Sequence, residues 1–200
     1  METIKEMTFN PKVDLKCLQI EHVTSLNLVL DLRNHEYQEM HMTTLTNGFE
    51  LIRNNMCNLK KIYIKFVSCY THTQEVIEPF RKNFCQMLKS LAKTLQRVQI
   101  KVKKLYYINT LLPNLDELTD LYVMDTELDD FQRFLSLYPA KLCLQFKNLR
   151  TFYIDVNVSL YWYQLEDDWI KLRLPQVIDE MFQGITDVKI QFNRVMGCFK

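Results

Sequence analysis

Apolar residues recur along the chain in the order LxxLxL, with other aliphatic residues or phenylalanine in place of some leucines. In the segment NLRTFYIDV, for example, Leu149, Phe152 and Ile154 are separated by three positions and then by two. A strand alone would space its buried residues by two, and a helix by three and four. The copies begin at residues 15, 59, 95, 118, 149 and 185. The last two apolar positions of each copy predict a strand, and the first predicts a bend that leads into it.

The intervals between the copies have the apolar spacing of amphipathic helices. In the segment 78–94, Pro79 suits the first helical turn, and in the segment 126–139 Thr126 suits an N-cap with acidic residues behind it. In the segment 174–184, a proline opens a further helix and a glycine closes it. The helical residues expected to face the sheet are Leu45, Phe49, Ile52, Met56, Phe80, Phe84, Leu88, Leu91, Leu128, Phe131, Leu135 and Tyr138.

Alternating strands and helices with short connections predict parallel strands joined by right-handed crossovers, and hence an α/β fold. Residues 1–42 are expected to form an irregular N-terminal cap, because VTSLNLVLDL follows LKCLQI too closely for a helix to intervene. We interpret residues 1–200 as a single domain, with repeats from 43 to 200. The strand residues expected to be buried are Leu59, Ile62, Ile64, Leu95, Val98, Ile100, Leu118, Leu121, Val123, Leu149, Phe152, Ile154, Ile185, Val188 and Ile190.

This arrangement resembles the leucine-rich-repeat family in its irregular, long-repeat form. The resemblance covers residues 15–193, and it implies a solenoid with parallel strands on the concave face and helices on the convex face. That family places an asparagine or cysteine three residues after the motif, and here Asn157 and Asn193 stand at that position. An open α/β sheet with buried strands is the alternative, because apolar triplets are common there as well.

Composition narrows the class of protein. Apolar residues make up 48% of the 200 residues, charged residues 24%, and the net charge is +1, which is the balance of a folded domain. So small a net charge gives no overall attraction to nucleic acid or anionic lipid. The sequence predicts no membrane span and no secretion signal. We therefore expect a cytoplasmic or nuclear protein whose six cysteines are reduced.

Motifs of catalysis and cofactor binding are absent from the sequence. Its three glycines cannot form a phosphate-binding GxGxxG or GxxxxGK[ST] loop, and it has no GxSxG or HExxH segment. Cys69 and His72 are the candidate Cys–His nucleophile pair, but they lie in a predicted loop and no asparagine or aspartate stands out to orient the histidine. Cys57, Cys69, His72 and Cys85 lack the paired spacing of a structural zinc site. We expect no catalytic residues, no metal and no cofactor, and a protein that is not an enzyme.

The open face of the predicted sheet carries the candidate binding residues. Between the two closing apolar positions of the motif, three of the six copies have a tyrosine, which combines apolar area with a hydroxyl group. Basic residues accompany the second and third copies, and Asp120, Asp155 and Asp187 the later ones. A solvated sheet surface is the alternative interpretation. The candidate partner-binding residues are Tyr63, Tyr122, Tyr153, Lys61, Lys65, Arg97 and Lys101.

The irregular copies look most like the repeat half of F-box/leucine-rich-repeat proteins. That resemblance implies a protein-recognition module that binds a protein partner, as the substrate-binding part of a ubiquitin ligase receptor. A cullin–RING ligase adaptor would be a second partner if an F-box is present elsewhere, because the start METIKEMTFNPKVD lacks the LPxE opening. We expect a fragment or a relative without the docking domain. The alternative function is a small hydrolase or transferase on an α/β sheet, and nucleic-acid binding ranks below both.

Overall fold

The computed structural model describes residues 6–9, 20–31, 38–67, 74–102, 112–137, 146–159, 182 and 184–195. These residues form seven strands and three helices. In chain order the elements are β1 (Glu6–Phe9), β2 (Ser25–Asp31), α1 (Gln38–Asn55), β3 (Lys61–Val67), α2 (Gln74–Ser90), β4 (Arg97–Lys101), β5 (Asp120–Glu127), α3 (Leu128–Leu137), β6 (Thr151–Ser159) and β7 (Asp187–Val195).

The strands form one sheet in the order of the sequence, from β1 to β7, and every neighbouring pair is parallel. The pairing of β4 with β5 sets Val98 opposite Leu121 and Ile100 opposite Val123. Equivalent positions of the apolar motif therefore lie side by side across the sheet. The α/β class and the parallel pairing are confirmed.

A common turn before the strands explains the odd apolar spacing. In five copies the backbone N–H of the first motif residue donates to the carbonyl three residues earlier, and that residue is apolar and buried. In the copy of Leu95 the acceptor is the carbonyl of Leu91, four residues earlier, at 2.9 Å. The bend turns the first motif side chain into the same core as the alternating strand residues. The five equivalent bonds join Val23 to Ile20 (3.1 Å), Leu59 to Met56 (3.2 Å), Leu118 to Leu115 (3.3 Å), Leu149 to Phe146 (3.1 Å) and Ile185 to Phe182 (2.9 Å).

Asparagine side chains connect the turns of successive repeats. The Nδ2 of Asn58 donates to the carbonyl of Glu21 at 2.9 Å, and the Nδ2 of Asn148 donates to the carbonyl of Asp116 at 2.7 Å. Both asparagines immediately precede the first apolar residue of a copy. Each amide therefore holds its own turn against the turn of the preceding repeat.

The copy beside β3 is VTSLNL of β2, and β1 precedes it in the sheet, with Met7 and Phe9 opposite Leu26 and Leu28. Leu26 and Leu28 of β2 lie opposite Ile62 and Ile64 of β3, and Val23 occupies the turn position. The interval from residue 23 to 59 equals that from 59 to 95. Of LKCLQI, only its last residue belongs to the described part of the chain, and it lies before a turn. β2, which falls within the expected irregular cap, continues the parallel sheet.

The core lies between the sheet and the helices. The predicted core residues of β3 to β6 and their turns are all buried, and those of β5 and β6 include Val123 and Ile154 at 0% exposure. The three residues predicted for the last copy are only half-buried, because β7 has a described neighbour on one side only. They are Ile185, Val188 and Ile190.

The helices match the predicted faces with two corrections. The residues that α1, α2 and α3 bury include Phe49, Phe84 and Phe131, as expected. Helix α2 begins at Gln74, so Pro79 lies in its second turn and not its first. Thr126 is not an N-cap, because it lies within β5 with its side chain fully buried.

Several other predictions fall outside the described structure. The side chains of Leu45, Leu135 and Tyr138 are not among those described, and neither is most of the helix expected in the segment 174–184. Gly184, expected to close that helix, has φ of 94°, a backbone conformation that glycine adopts readily. None of the helices in the described ranges is long and apolar enough to cross a membrane.

Candidate partner-binding surface

The strand residues between the buried positions emerge on the sheet face opposite the helices, called here the open face. In β4, Val98 and Ile100 are buried, while Arg97, Gln99 and Lys101 are partly exposed. Successive strand side chains point to opposite faces, so the same alternation assigns the other strands, except at the register shift that follows Val123 in β5. All seven candidate partner-binding residues lie on the open face and are at least partly exposed.

The three predicted tyrosines lie in one line that crosses the strands. Tyr122 and Tyr153 are direct neighbours, with ring centroids 5.9 Å apart and planes inclined by 37°. Tyr63 lies two strands from Tyr122, with Gln99 between them. We call this line the tyrosine row. In order from β2 to β7 it contains Asn27, Tyr63, Gln99, Tyr122, Tyr153 and Lys189.

Hydrogen bonds fix the C-terminal end of the tyrosine row. The hydroxyl of Tyr153 donates to Oε1 of Gln191 at 2.7 Å, and Nε2 of Gln191 donates to Oδ1 of Asn193 at 2.9 Å. Burial raises the pKa of the Tyr153 hydroxyl above its ordinary value of 10.0, and the negative charge of Asp155 raises it further. Tyr153 is therefore a neutral donor at physiological pH.

The predicted basic residues of the open face lie on β3 and β4, and its aspartates lie on β5 to β7, where Asp187 pairs with Lys189 at 3.3 Å. Lys61 lies opposite Arg97, and Lys65 lies opposite Lys101, so β3 and β4 carry the four predicted basic residues in register. The two cations of β4 face the acidic side. Arg97 Nη2 lies 3.8 Å from Asp120 Oδ2, and Lys101 Nζ lies 3.7 Å from Asp125 Oδ2. Within the described part of the chain, Lys61 and Lys65 form no ion pair.

Arg97 retains unused hydrogen-bonding capacity. Its 3.8 Å separation from Asp120 is longer than a hydrogen bond, and Asp120 Oδ2 accepts a bond of 2.8 Å from the Thr119 hydroxyl. The Arg97 guanidinium carbon lies 5.3 Å from the centroid of the Tyr122 ring, within cation–π range. Its Nε is buried and has no hydrogen-bond partner among the described residues. Arg97 thus stacks on a tyrosine while donors remain available.

A second polar cluster lies at the carboxyl ends of β5 to β7. Asn157 Nδ2 donates to Asp125 Oδ1 at 2.7 Å, and Asn193 Nδ2 donates to Asp155 Oδ1. The two motif-matching asparagines are in register, and each binds an aspartate on the strand before its own. We call these four residues the carboxylate–amide cluster.

The surroundings of Asp155 in this cluster favour its protonated form. Burial raises the pKa of Asp155 above its ordinary value, and the Asp125 carboxylate raises it further. Lys101 and the bond from Asn193 act in the opposite direction. Asp125, which was missed from the sequence, has φ of 64° at a register shift in β5.

The described residues contain no group of three histidine, cysteine, aspartate or glutamate side chains able to hold a metal ion. Cys69 and His72 lie outside those residues. On the helical side, a cleft between α1 and α2 has a volume of about 20 Å³, which is room for about one water molecule. Its lining includes Thr46, Glu50 and Asn83.

Comparison of the chain with protein-family models, with curated proteins and with solved structures finds no match. The function of this protein must therefore be argued from the open face.

Proposed function

We propose that this chain is a protein-recognition module that binds a protein partner through the open face. The observation that carries the proposal is the adjacent pair Tyr122 and Tyr153, partly exposed on the face that α1, α2 and α3 leave uncovered. Tyrosine is enriched at protein interfaces because its ring offers apolar area and its hydroxyl a hydrogen bond.

The proposed architecture is a leucine-rich-repeat-like solenoid. It is supported by strands that follow one another in sequence order, by the common turn before them, and by the equivalent bonds of Asn58 and Asn148. Proteins of that architecture bind through their strand face. The proposed binding surface is the corresponding face here.

A narrower proposal is the substrate-binding part of an F-box-type ubiquitin ligase receptor in the cytoplasm or nucleus. Its support is the resemblance of the irregular apolar motif. Co-precipitation of a cullin–RING adaptor with the protein tests it directly. If a partner is captured but no adaptor is, the recognition function is supported and the ubiquitin ligase proposal is wrong.

The alternative, a small hydrolase or transferase, has one observation in its favour. Asp125 raises the pKa of Asp155 across two neighbouring parallel strands, and carboxyl groups with a raised pKa are common at catalytic sites. However, each carboxylate already accepts an asparagine amide bond, and Asp125 also faces Lys101. Hydrolysis of p-nitrophenyl acetate or p-nitrophenyl phosphate that Asp155→Asn abolishes would favour the enzyme.

Affinity capture with paired variants tests the recognition function. The wild-type protein and Tyr122→Ala/Tyr153→Ala are used as baits in the same cell extract, and captured proteins are quantified by mass spectrometry. Gln86→Ala, which shortens an exposed side chain of α2, is the control. We expect proteins that the wild type and the control retain and the double variant loses. Equal capture by all three baits would contradict binding through the open face.

A further inference from the structure

We propose that the β3 side of the open face binds an acidic peptide segment in an extended conformation. Two carboxylates of the segment, four residues apart, pair with Lys61 and Lys65, and an apolar side chain midway between them packs on Tyr63. The inference rests on the proposed function, because it names the chemistry of the partner that this face would recognise.

The spacing along β3 fits such a segment. Lys61, Tyr63 and Lys65 alternate with the buried residues Ile62 and Ile64, so all three side chains emerge on the open face. Four residues of strand span about 13 Å. An extended peptide presents its residues i, i+2 and i+4 on one side with the same spacing. Residues of the pattern acidic-x-apolar-x-acidic would therefore meet Lys61, Tyr63 and Lys65 in register.

Among the described residues, no acidic side chain pairs with the two lysines of β3. The cations of β4 are directed to Asp120 and Asp125 at 3.8 and 3.7 Å, whereas Lys61 and Lys65 form no ion pair in the described part of the chain. On the other side of β3, the neighbours in register are neutral. They are Ser25, Asn27 and Val29 of β2. A negatively charged ligand would supply the counter-charges that the described residues do not.

The rest of the open face confines an acidic ligand to this side. The open face of β5 to β7 carries Asp120, Asp125, Asp155 and Asp187, of which Asp187 is paired with Lys189 at 3.3 Å. Like charges placed opposite one another oppose binding and so contribute to specificity. A short acidic segment can avoid them by lying along β3, whereas a long polyanion such as single-stranded DNA that crosses the sheet cannot.

Two peptides of identical composition test the proposal. The fluorescein-labelled peptide GSETLTESG has glutamates four residues apart with leucine midway, so all three point to one side when the chain is extended. In the permuted peptide GSETLETSG the glutamates are three residues apart and point to opposite sides. Binding to the full chain is measured by fluorescence anisotropy at low salt and compared with that of a labelled single-stranded oligothymidylate.

The protein variants separate local charge from net charge. Lys61→Met/Lys65→Met removes both cations but keeps most of the apolar stems. Lys82→Met/Lys93→Met removes two exposed lysines of α2 and the turn that follows it, and serves as the matched control. We expect GSETLTESG to bind the first variant about fivefold more weakly than the wild type, and the control variant as the wild type does.

Several results would overturn the proposal. They are equal affinity for the two peptides, equal binding by wild type and Lys61→Met/Lys65→Met, no detectable binding of GSETLTESG, and tighter binding of the oligothymidylate than of either peptide. The proposed function is tested by a different experiment, and it is wrong if Tyr122→Ala/Tyr153→Ala captures the same proteins as the wild type. If capture depends on those tyrosines while the peptide does not bind, recognition stands and the acidic segment is wrong.

Discussion

The rings of Tyr122 and Tyr153 lie side by side on β5 and β6, with centroids 5.9 Å apart. On the other side of Tyr122, the guanidinium of Arg97 lies 5.3 Å from the ring centroid. The hydroxyl of Tyr153 is held by Gln191 at 2.7 Å. These contacts restrict both rings before any partner arrives. The two tyrosine side chains therefore lose less conformational entropy when a partner packs on them than freely rotating tyrosines would.

Replacing Tyr122 by alanine separates binding from folding. The ring lies on the open face and not in the core, so we expect the free energy of unfolding to change by less than about 1 kcal/mol. Binding of the partner should weaken by more than about 1 kcal/mol, as for an interface anchor. Urea unfolding gives the first quantity and titration of the captured partner gives the second.

Gln86→Ala is the matched control for this experiment, because it shortens an exposed side chain on the helical side. It should alter neither quantity. Unchanged partner affinity in Tyr122→Ala would show that the ring does not contribute to recognition. A large loss of stability would instead show that its contacts with Arg97 and Tyr153 support the sheet.

Two isoleucines at equivalent positions of neighbouring strands should differ in their effect on stability. Ile154 of β6 is fully buried, whereas Ile190 of β7 lies opposite it and is only half-buried. Ile154→Ala should cost about 2–5 kcal/mol of unfolding free energy, because it leaves a cavity in the core. Ile190→Ala should cost less, because its neighbours and solvent can fill the space. A loss below about 1 kcal/mol for Ile154→Ala would contradict its burial.

Thr126 offers a test of an error in the sequence prediction. At an N-cap, serine would replace threonine well and valine poorly, because the hydroxyl is what matters. In β5 the side chain is fully buried, and its hydroxyl makes only a long bond of 3.5 Å to the carbonyl of Val102. We therefore expect Thr126→Val to be within about 1 kcal/mol of the wild type, and Thr126→Ser to be the less stable variant because it removes a buried methyl group. Thermal unfolding of both variants measures this order of stability. If Thr126→Ser were the more stable variant, the result would favour an N-cap at Thr126.

The sequence could not reveal why Thr126 turns inward. β5 has one more residue than β6 between Val123 and Thr126, and Asp125 absorbs it with φ of 64°. This extra residue reverses the alternation, so Thr126 aligns with Val156 on the core side. Aspartate tolerates this backbone conformation, but it occurs in many other settings as well. The apolar residues on either side of Asp125 do not indicate whether β5 has an extra residue there.

The placement of the copy beside β3 shows a similar limit. LKCLQI and VTSLNL fit the apolar template equally well, and only two residues separate them in sequence. Only pairing with β3 selects the second, because it sets Leu26 and Leu28 beside Ile62 and Ile64. Copies that have no such competitor nearby, such as that of Ile154, were placed correctly. The apolar template therefore identifies strands, while their register is decided by neighbours distant in sequence.

The open face was predictable in part. Alternation along a strand placed Tyr63, Tyr122 and Tyr153 on one face, since it follows from backbone geometry alone. The division of the cations was not predictable. Which of Lys61, Lys65, Arg97 and Lys101 is paired depends on the strand that lies beside each, and only β4 has the aspartates of β5 as its neighbour.

The carboxylate–amide cluster should make stability depend on pH through Asp155. Burial and then the Asp125 carboxylate raise its pKa in the folded state above the ordinary value of 3.8. As pH rises, the unfolded chain loses this proton first, so the folded state binds more protons between the two pKa values. The free energy of unfolding therefore falls as pH rises through this window, and the cost of ionising Asp155 persists above the folded-state pKa.

Asp155→Asn removes that cost while its side-chain carbonyl still accepts the amide of Asn193. We expect the variant to be slightly more stable than the wild type at about pH 7, with the gain vanishing once Asp155 is protonated in both states. The gain should be small, because the carboxylate is partly exposed and Lys101 attracts it. Urea unfolding from about pH 3 to about pH 8 measures it. In an Asp125→Asn background the gain should shrink, since one source of the shift is gone. A variant less stable than the wild type at neutral pH would show instead that attraction to Lys101 outweighs burial and repulsion.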